Sequence, residues 1–370
     1  MTGRWPADLH VNSNWNTGAK GAAAAAVGEA IGAPTGGALS DRFGQRPVLL
    51  TGVVLNVAFA VALVATIADA PDLVIVALAG ATGLSLPQVG PLSRVRWMAM
   101  SGDDLSAAFA FEGVTDEVVY IIGPAVVGIL AVTVSPEIAL LSAAGLIAVF
   151  VTQFALHPTA RFALRRPDAA PADAPETTRV PLPAWMRRSL GAVVLGGMLA
   201  MGTFFGASQA GLTSFALTNG LGDSGSLLYA VMAVGSAVTT VAMVAVPDRI
   251  GLATRWVLAG AGMALGAVGM MLAPNVVVLL VWAVLAGAFQ GPALLTMFSV
   301  AGSIAQPGRA GILMTLTGSG VVLGVAIGTS AGGALAAGGG PAAAFALVAT
   351  AAGVLALLGA VVGILIRPRR

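Results

Sequence analysis

The chain has no cysteine, so it has neither a disulfide, nor thiolate chemistry, nor a cysteine-held metal. Histidine is nearly absent too: His10 and His157 lie near the ends of predicted segments and in no metal-binding spacing. Charge is scarce. Asp, Glu, Lys and Arg make up 9% of the residues, against about 25% in soluble domains, which excludes an ordinary soluble fold. The net charge of +2 gives no argument for nucleic acid, because the basic residues follow loops and form no patch. No nucleophile–base constellation, phosphate-binding loop or metal-ligand cluster appears; Gly318-Ser319-Gly320 lies inside an apolar segment and reads as a helix contact. Neither an enzyme nor a metal or cofactor is expected. Met1–Thr17 is polar and does not read as a signal peptide.

What the chain does have is apolar length. Apolar residues make up 57% of it, with 49 glycines. A bilayer core of about 30 Å is crossed by about 20 helical residues, and eleven segments meet that length: 20–40, 47–68, 72–98, 104–133, 137–156, 189–213, 224–246, 254–273, 276–302, 309–335 and 342–366. Turn chemistry separates them at Ala70-Pro71-Asp72, Ser135-Pro136-Glu137, Ala273-Pro274-Asn275 and Gly338-Gly339-Gly340-Pro341. An all-α integral membrane protein follows, with the lipid bilayer as its surroundings.

Between the fifth and sixth segments, His157–Arg188 holds six arginines and six prolines, a composition that predicts a solvated linker rather than a domain. Under strict alternation, sixteen of the eighteen basic residues fall on one side, and the opposite loops carry Asp69, Asp72, Glu137 and Asp223. The positive side is cytoplasmic, so the linker and the C-terminus are expected there, in a multi-pass protein of the cell membrane.

The polar turn between the first two segments reads Gly37-Ala38-Leu39-Ser40-Asp41-Arg42-Phe43-Gly44-Gln45-Arg46-Pro47. It resembles the signature loop between helices two and three of major facilitator superfamily transporters, with Gly37, Leu39, Asp41, Arg42, Gly44 and Arg46 in register. Gln45 departs, standing where the family usually has a basic residue. The resemblance implies a conformational latch formed by Gly37, Asp41, Arg42, Gly44 and Arg46. Asp41 would sit near the N-terminus of the helix beginning near Arg309, where the helix dipole favours an anion. Arg42 and Arg46 would meet acids or lipid headgroups.

An internal repeat supports the same layout. Asp41-Arg42-Phe43-Gly44 recurs as Asp248-Arg249-Ile250-Gly251, 207 residues on, and Ala79-Gly80 recurs at the same offset as Ala286-Gly287. Two parallel halves, 1–157 and 189–370, joined by the linker 158–188, are the arrangement of this superfamily. The counterpart of the segment 189–213 would fall mostly before Met1, so the first half is expected to lack its first helix.

Four acids lie within apolar segments: Glu29, Glu112, Asp116 and Glu117. Intramembrane charge costs about 2.5–3.5 kcal/mol on insertion scales, and such residues face a cavity or a partner. Glu112 and Asp116 share a helix face, whereas Glu117 points about 100° away towards a different neighbour. The cluster reads either as a proton-binding site centred on Asp116 or as a structural pairing of Glu112 with Arg94 or Arg96. Gly123-Pro124-Ala125-Val126-Val127-Gly128, further along, resembles the helix-five motif of exporter branches, although Val127 replaces a glycine. Gly123, Pro124 and Gly128 would allow either close packing against the other half or a simple kink. The arginine that drug exporters carry midway along helix four is absent from Val76–Gly80. Gln209, Tyr229, Gln290, Thr315 and Thr317 are polar groups that either hydrogen-bond between helices or face a substrate.

These readings point to a monomeric secondary transporter exporting small organic molecules in exchange for protons, by alternating access. An importer of sugars or other metabolites, and a truncated paralogue that moves nothing, are the alternatives.

Overall fold

The computed structural model describes residues 7–164, 182–222, 224–246, 249–306 and 308–366. Asp248 of the second turn, the stretch 165–181 of the linker and residues 367–370 lie outside them. Where water is excluded, backbone groups must be satisfied within a segment, and the described chain is accordingly helical. In order come α1 (Ala7–Phe43), α2 (Gln45–Thr66), α3 (Asp72–Leu84), α4 (Val89–Met100), α5 (Leu105–Thr133), α6 (Pro136–Leu146) and α7 (Thr152–Leu156). After the linker follow α8 (Ala184–Thr218), α9 (Gly225–Ala242), α10 (Leu252–Met271), α11 (Val276–Ile304) and α12 (Ala310–Ile366). Among the described residues, eight helical stretches are long and apolar enough to cross a membrane.

Two of the expected turns start helices through side-chain caps. The Ser135 hydroxyl accepts the Ile138 N–H at 3.2 Å, and the Asn275 carbonyl oxygen accepts the Val278 N–H at 3.0 Å. Elsewhere the boundaries differ from expectation. The helix expected at 20–40 extends back through polar sequence to Ala7. The expected turn over 37–47 contracts to one residue: α1 continues to Phe43, α2 begins at Gln45, and Gly44 takes φ 90° between them. The segment 72–98 is broken at 85–88, because Pro87 lacks an N–H and disfavours helical backbone at Leu86. The linker is shorter than its composition predicts, since Pro158–Leu164 forms a 3₁₀ run and α8 begins at Ala184.

Within α12 the chain reverses at Gly340, which takes φ 70°. Gly202 and Gly206 of α8 meet Val321 and then Val325 in ascending order, whereas Gly211 and Gly196 meet Phe345 and Leu358 in descending order. Small residues permit such approaches. A Cβ on Gly28 would stand 2.1 Å from the Gly80 carbonyl oxygen, so α1 and α3 touch backbone to backbone.

The larger apolar core lies among α8–α12, around Trp256, Phe204, Met201 and Phe345, and extends to Val95, Phe109 and Ala110 of α4 and α5. A smaller one joins Leu49, Val53, Leu92, Val151 and Ala155. Several contacts between the helices before the linker and those after it lie near one end of the molecule. Gly37 faces Gly311 and Thr315, Pro91 faces Gly318, Phe109 faces Gly302, and Gly113 faces Thr240. That end holds the termini of α1, α4, α9 and α11 and the starts of α5 and α12.

Candidate functional site

Asp41, in the last turn of α1 beyond the apolar run, reaches the first turn of α12. Its Oδ1 accepts the Gly311 N–H and its Oδ2 the Ile312 N–H, both at 2.8 Å. A helix start has unpaired N–H groups and a positive dipole end, so the carboxylate satisfies two donors and meets favourable potential. Burial pushes the Asp41 pKa above the ordinary carboxylate value, and the two N–H bonds oppose that shift only in part. The approach depends on glycine. A Cβ on Gly37 would lie 2.1 Å from the Thr315 Oγ1, and one on Gly311 would lie 2.6 Å from the Asp41 Oδ1. Arg42 and Arg46 are exposed; the Arg42 guanidinium lies 5.1 Å from the centre of the Phe43 ring.

Gln45, the departure from the family pattern, is buried. Its Oε1 accepts from Arg96 Nε at 2.8 Å, and its Nε2 donates to the Leu92 carbonyl at 3.0 Å. Arg96 also donates Nη1 to the Phe154 carbonyl and the Thr159 hydroxyl, and its guanidinium stacks 3.5 Å from the centre of the Phe154 ring. A basic residue at 45 would face this buried cation, so the glutamine fits. Among the described residues Arg96 makes no ion pair with Glu112.

The three acids of α5 have separate partners. Glu112 Oε1 accepts from the Ser93 hydroxyl at 2.5 Å and from Trp97 Nε1 at 2.8 Å. Arg94 pairs not with Glu112 but with Asp116, Nη2 to Oδ2 at 2.5 Å. Arg94 is 3% exposed and Asp116 30%; the guanidinium also lies 4.0 Å from the centre of the Phe298 ring on α11. Asp116 is therefore not the isolated carboxyl in an apolar setting that its neighbours in sequence suggest.

Glu117 is the acid that crosses to the far helices. It is 6% exposed, and its Oε1 accepts from the Ser236 hydroxyl of α9 at 2.5 Å and from Gln290 Nε2 of α11 at 3.2 Å. Gln290 Oε1 is buried with no donor among the described residues. An amide offers a donor on one side and an acceptor on the other, so Gln290 can serve Glu117 whether its carboxyl is ionised or protonated. Beside them a cavity of about 10 Å³ is lined by Arg94, Glu117, Thr240 and Phe298, among others.

The remaining candidates scatter. Glu29 is bonded by Gln88, at the break between α3 and α4. Thr315 and Thr317 are fully buried, and their hydroxyls donate to carbonyls of their own helix, at Gly311 and Met314. Their hydroxyl protons are thus committed to the helix backbone. Gln209 is exposed on α8, while Tyr229 packs against the larger core two turns before Ser236. A Cβ on Gly123 or Gly128 would meet nothing within 4 Å among the described residues; Pro124 lies within that helix, and its side chain is outside the described residues.

Sequence reading missed Ser236, Thr240, Ser93, Trp97 and the Arg96–Gln45 pair. Gln45 carried a signal, as the one departure in the loop, and Ser236 sits in a polar run, Ser236-Ala237-Val238-Thr239-Thr240.

No curated protein matches the chain. The fold is similar to that of the human organic anion transporter MFSD10 (TETRAN), with a TM-score of 0.69 and 20% identity over 93% of this chain and 82% of that one. At that identity the likeness shows the fold alone. The Asp41 turn, the multi-pass helical architecture and a match of the Major Facilitator Superfamily model to residues 10–278 agree, and the chain belongs to this superfamily of membrane transporters.

Proposed function

We propose that the chain exports small organic molecules in exchange for protons, with its helices forming eleven spans in two parallel halves, 1–157 and 189–370. The linker 158–188 and the C-terminus face the cytoplasm, in a monomer of the cell membrane. The observation that carries this reading is Glu117, a buried carboxyl on α5 bonded to Ser236 and Gln290 across the joint between the halves. Intramembrane carboxyls facing a partner are the usual proton carriers of pumps and transporters.

The contacts gathered around Asp41 and Glu117 fit a state closed towards the cytoplasm, and the unopposed Gly123 and Gly128 fit a joint open on the other side. Ionised Glu117 holds the donors of α9 and α11 and favours this closure. A proton arriving from outside removes the charge, weakens the charge-assisted bond from Ser236 while Gln290 can still serve the neutral carboxyl, and lets the halves rock inward. Gly123, Pro124 and Gly128 then meet the opposite half. Release of the proton inside remakes the joint and carries bound substrate outward. The Arg94–Asp116 pair, leaning on Phe298, follows the same movement, and Glu29 and Glu112 lie within reach of polar partners that can assist.

The test is accumulation of a labelled compound panel in cells with and without the protein. Lower accumulation of some compounds when the protein is present supports export. Higher accumulation makes it an importer, and no difference across the panel removes the assignment.

A further inference from the structure

A second cavity, of about 340 Å³, lies where the starts of α8 and α12 meet the end of α11. Its polar wall is formed by Arg187, Arg188 and Arg309, and its apolar wall by Ile304, Leu313 and Leu316. No carboxylate lines it, and among the described residues none lies within ion-pairing distance of these arginines. Arg187 Nη1 donates to the Leu182 carbonyl at 2.9 Å, which holds its side chain in place. Three cations sharing one cavity repel one another. An anion between them would relieve that repulsion.

We propose that this cavity binds the phosphate of an anionic phospholipid. Guanidinium groups present planar forks that match phosphate oxygens in pairs. The first turn of α8, which has no side-chain cap, brings further unpaired N–H groups to the same end of the molecule. The apolar wall favours a lipid over free phosphate, because it gives the glycerol and the first acyl carbons a dry surface that a fully hydrated ion does not need. Ile312 lines the cavity and also gives its N–H to Asp41, so the occupant braces the turn that Asp41 holds. The site does not depend on what the protein carries.

The test uses the full chain in detergent, wild type against Arg188→Gln with Arg309→Gln. Both arginines are exposed, so folding is unaffected. Added phosphatidylglycerol is expected to raise the Tm of the wild type, and phosphatidylcholine to leave it unchanged. Loss of two basic contacts should weaken phosphatidylglycerol binding about thirtyfold and remove the Tm shift. An equal shift in the double variant, or none in the wild type, overturns the site. An equal shift with glycerol 3-phosphate alone overturns the lipid assignment in favour of a soluble phosphate. A chain that transports nothing but shows the lipid shift leaves the site standing.

Discussion

Arg94 reaches Asp116 rather than Glu112 because α4 and α5 form an antiparallel pair in which Ser93 and Trp97 already occupy the level of Glu112. The long arginine side chain extends one turn further along α5, to the next acid. This decides which substitution harms folding. Asp116→Asn leaves a buried guanidinium without its carboxylate and should cost about 1–3 kcal/mol, below the cost of breaking a fully buried pair because Asp116 is partly exposed. Glu112→Gln keeps an oxygen for Ser93 and Trp97 and should cost less than about 1 kcal/mol. Thermal unfolding in detergent checks the order, and a larger Tm loss for Glu112→Gln would contradict it. The sequence showed that these acids matter, since intramembrane charge needs a partner. Helix spacing also put Glu117 on a separate face. It could not show the partners, because Ser236 and Gln290 are more than a hundred residues away, and a polar residue in an apolar segment does not say which helix it faces.

The crossing of α1 and α12 rests on Gly37, Gly311 and the Asp41 carboxylate, with Gly37 and Asp41 in the turn that was legible as a family signature. Three of its positions meet a single physical demand each: close approach at Gly37, a capping anion at Asp41 and positive φ at Gly44. Asp41→Asn keeps one acceptor and loses the charge. Capping and dipole contributions of about 0.5–2 kcal/mol would shift the balance between closed and open states by about 2- to 30-fold. Transport should fall by a comparable factor with membrane insertion unchanged, and an unaltered rate would remove the latch role. Element boundaries were less readable. Helix continues through the polar N-terminal stretch from Ala7, and a single proline at 87 breaks a segment whose hydropathy runs on without interruption. Hydropathy registers burial in lipid, whereas the helix break depends on one missing N–H.

At the scale of the whole molecule, contacts at one end and open glycines at the other are what a rocking pair of halves requires. The absence of cysteine makes this testable directly. A Cβ on Gly113 would lie 3.0 Å from Thr240 Cγ2, so Gly113→Cys with Thr240→Cys should form a disulfide under oxidation and stop transport, with recovery on reduction. Full activity of the oxidised pair would mean that this joint never opens. The repeat at an offset of 207 and the side preference of arginine were readable at this scale, because both are sums over many residues. The state of the joint was not, since both states share one sequence. The central claim is that Glu117 carries the proton that drives export. The most direct measurement is uptake of a responsive compound into reconstituted vesicles under an imposed pH gradient, wild type against Glu117→Gln. The account predicts gradient-driven movement in the wild type and none in the variant, with exchange of labelled for unlabelled compound retained at equal pH. Gradient-driven movement at the wild-type rate in Glu117→Gln would contradict it.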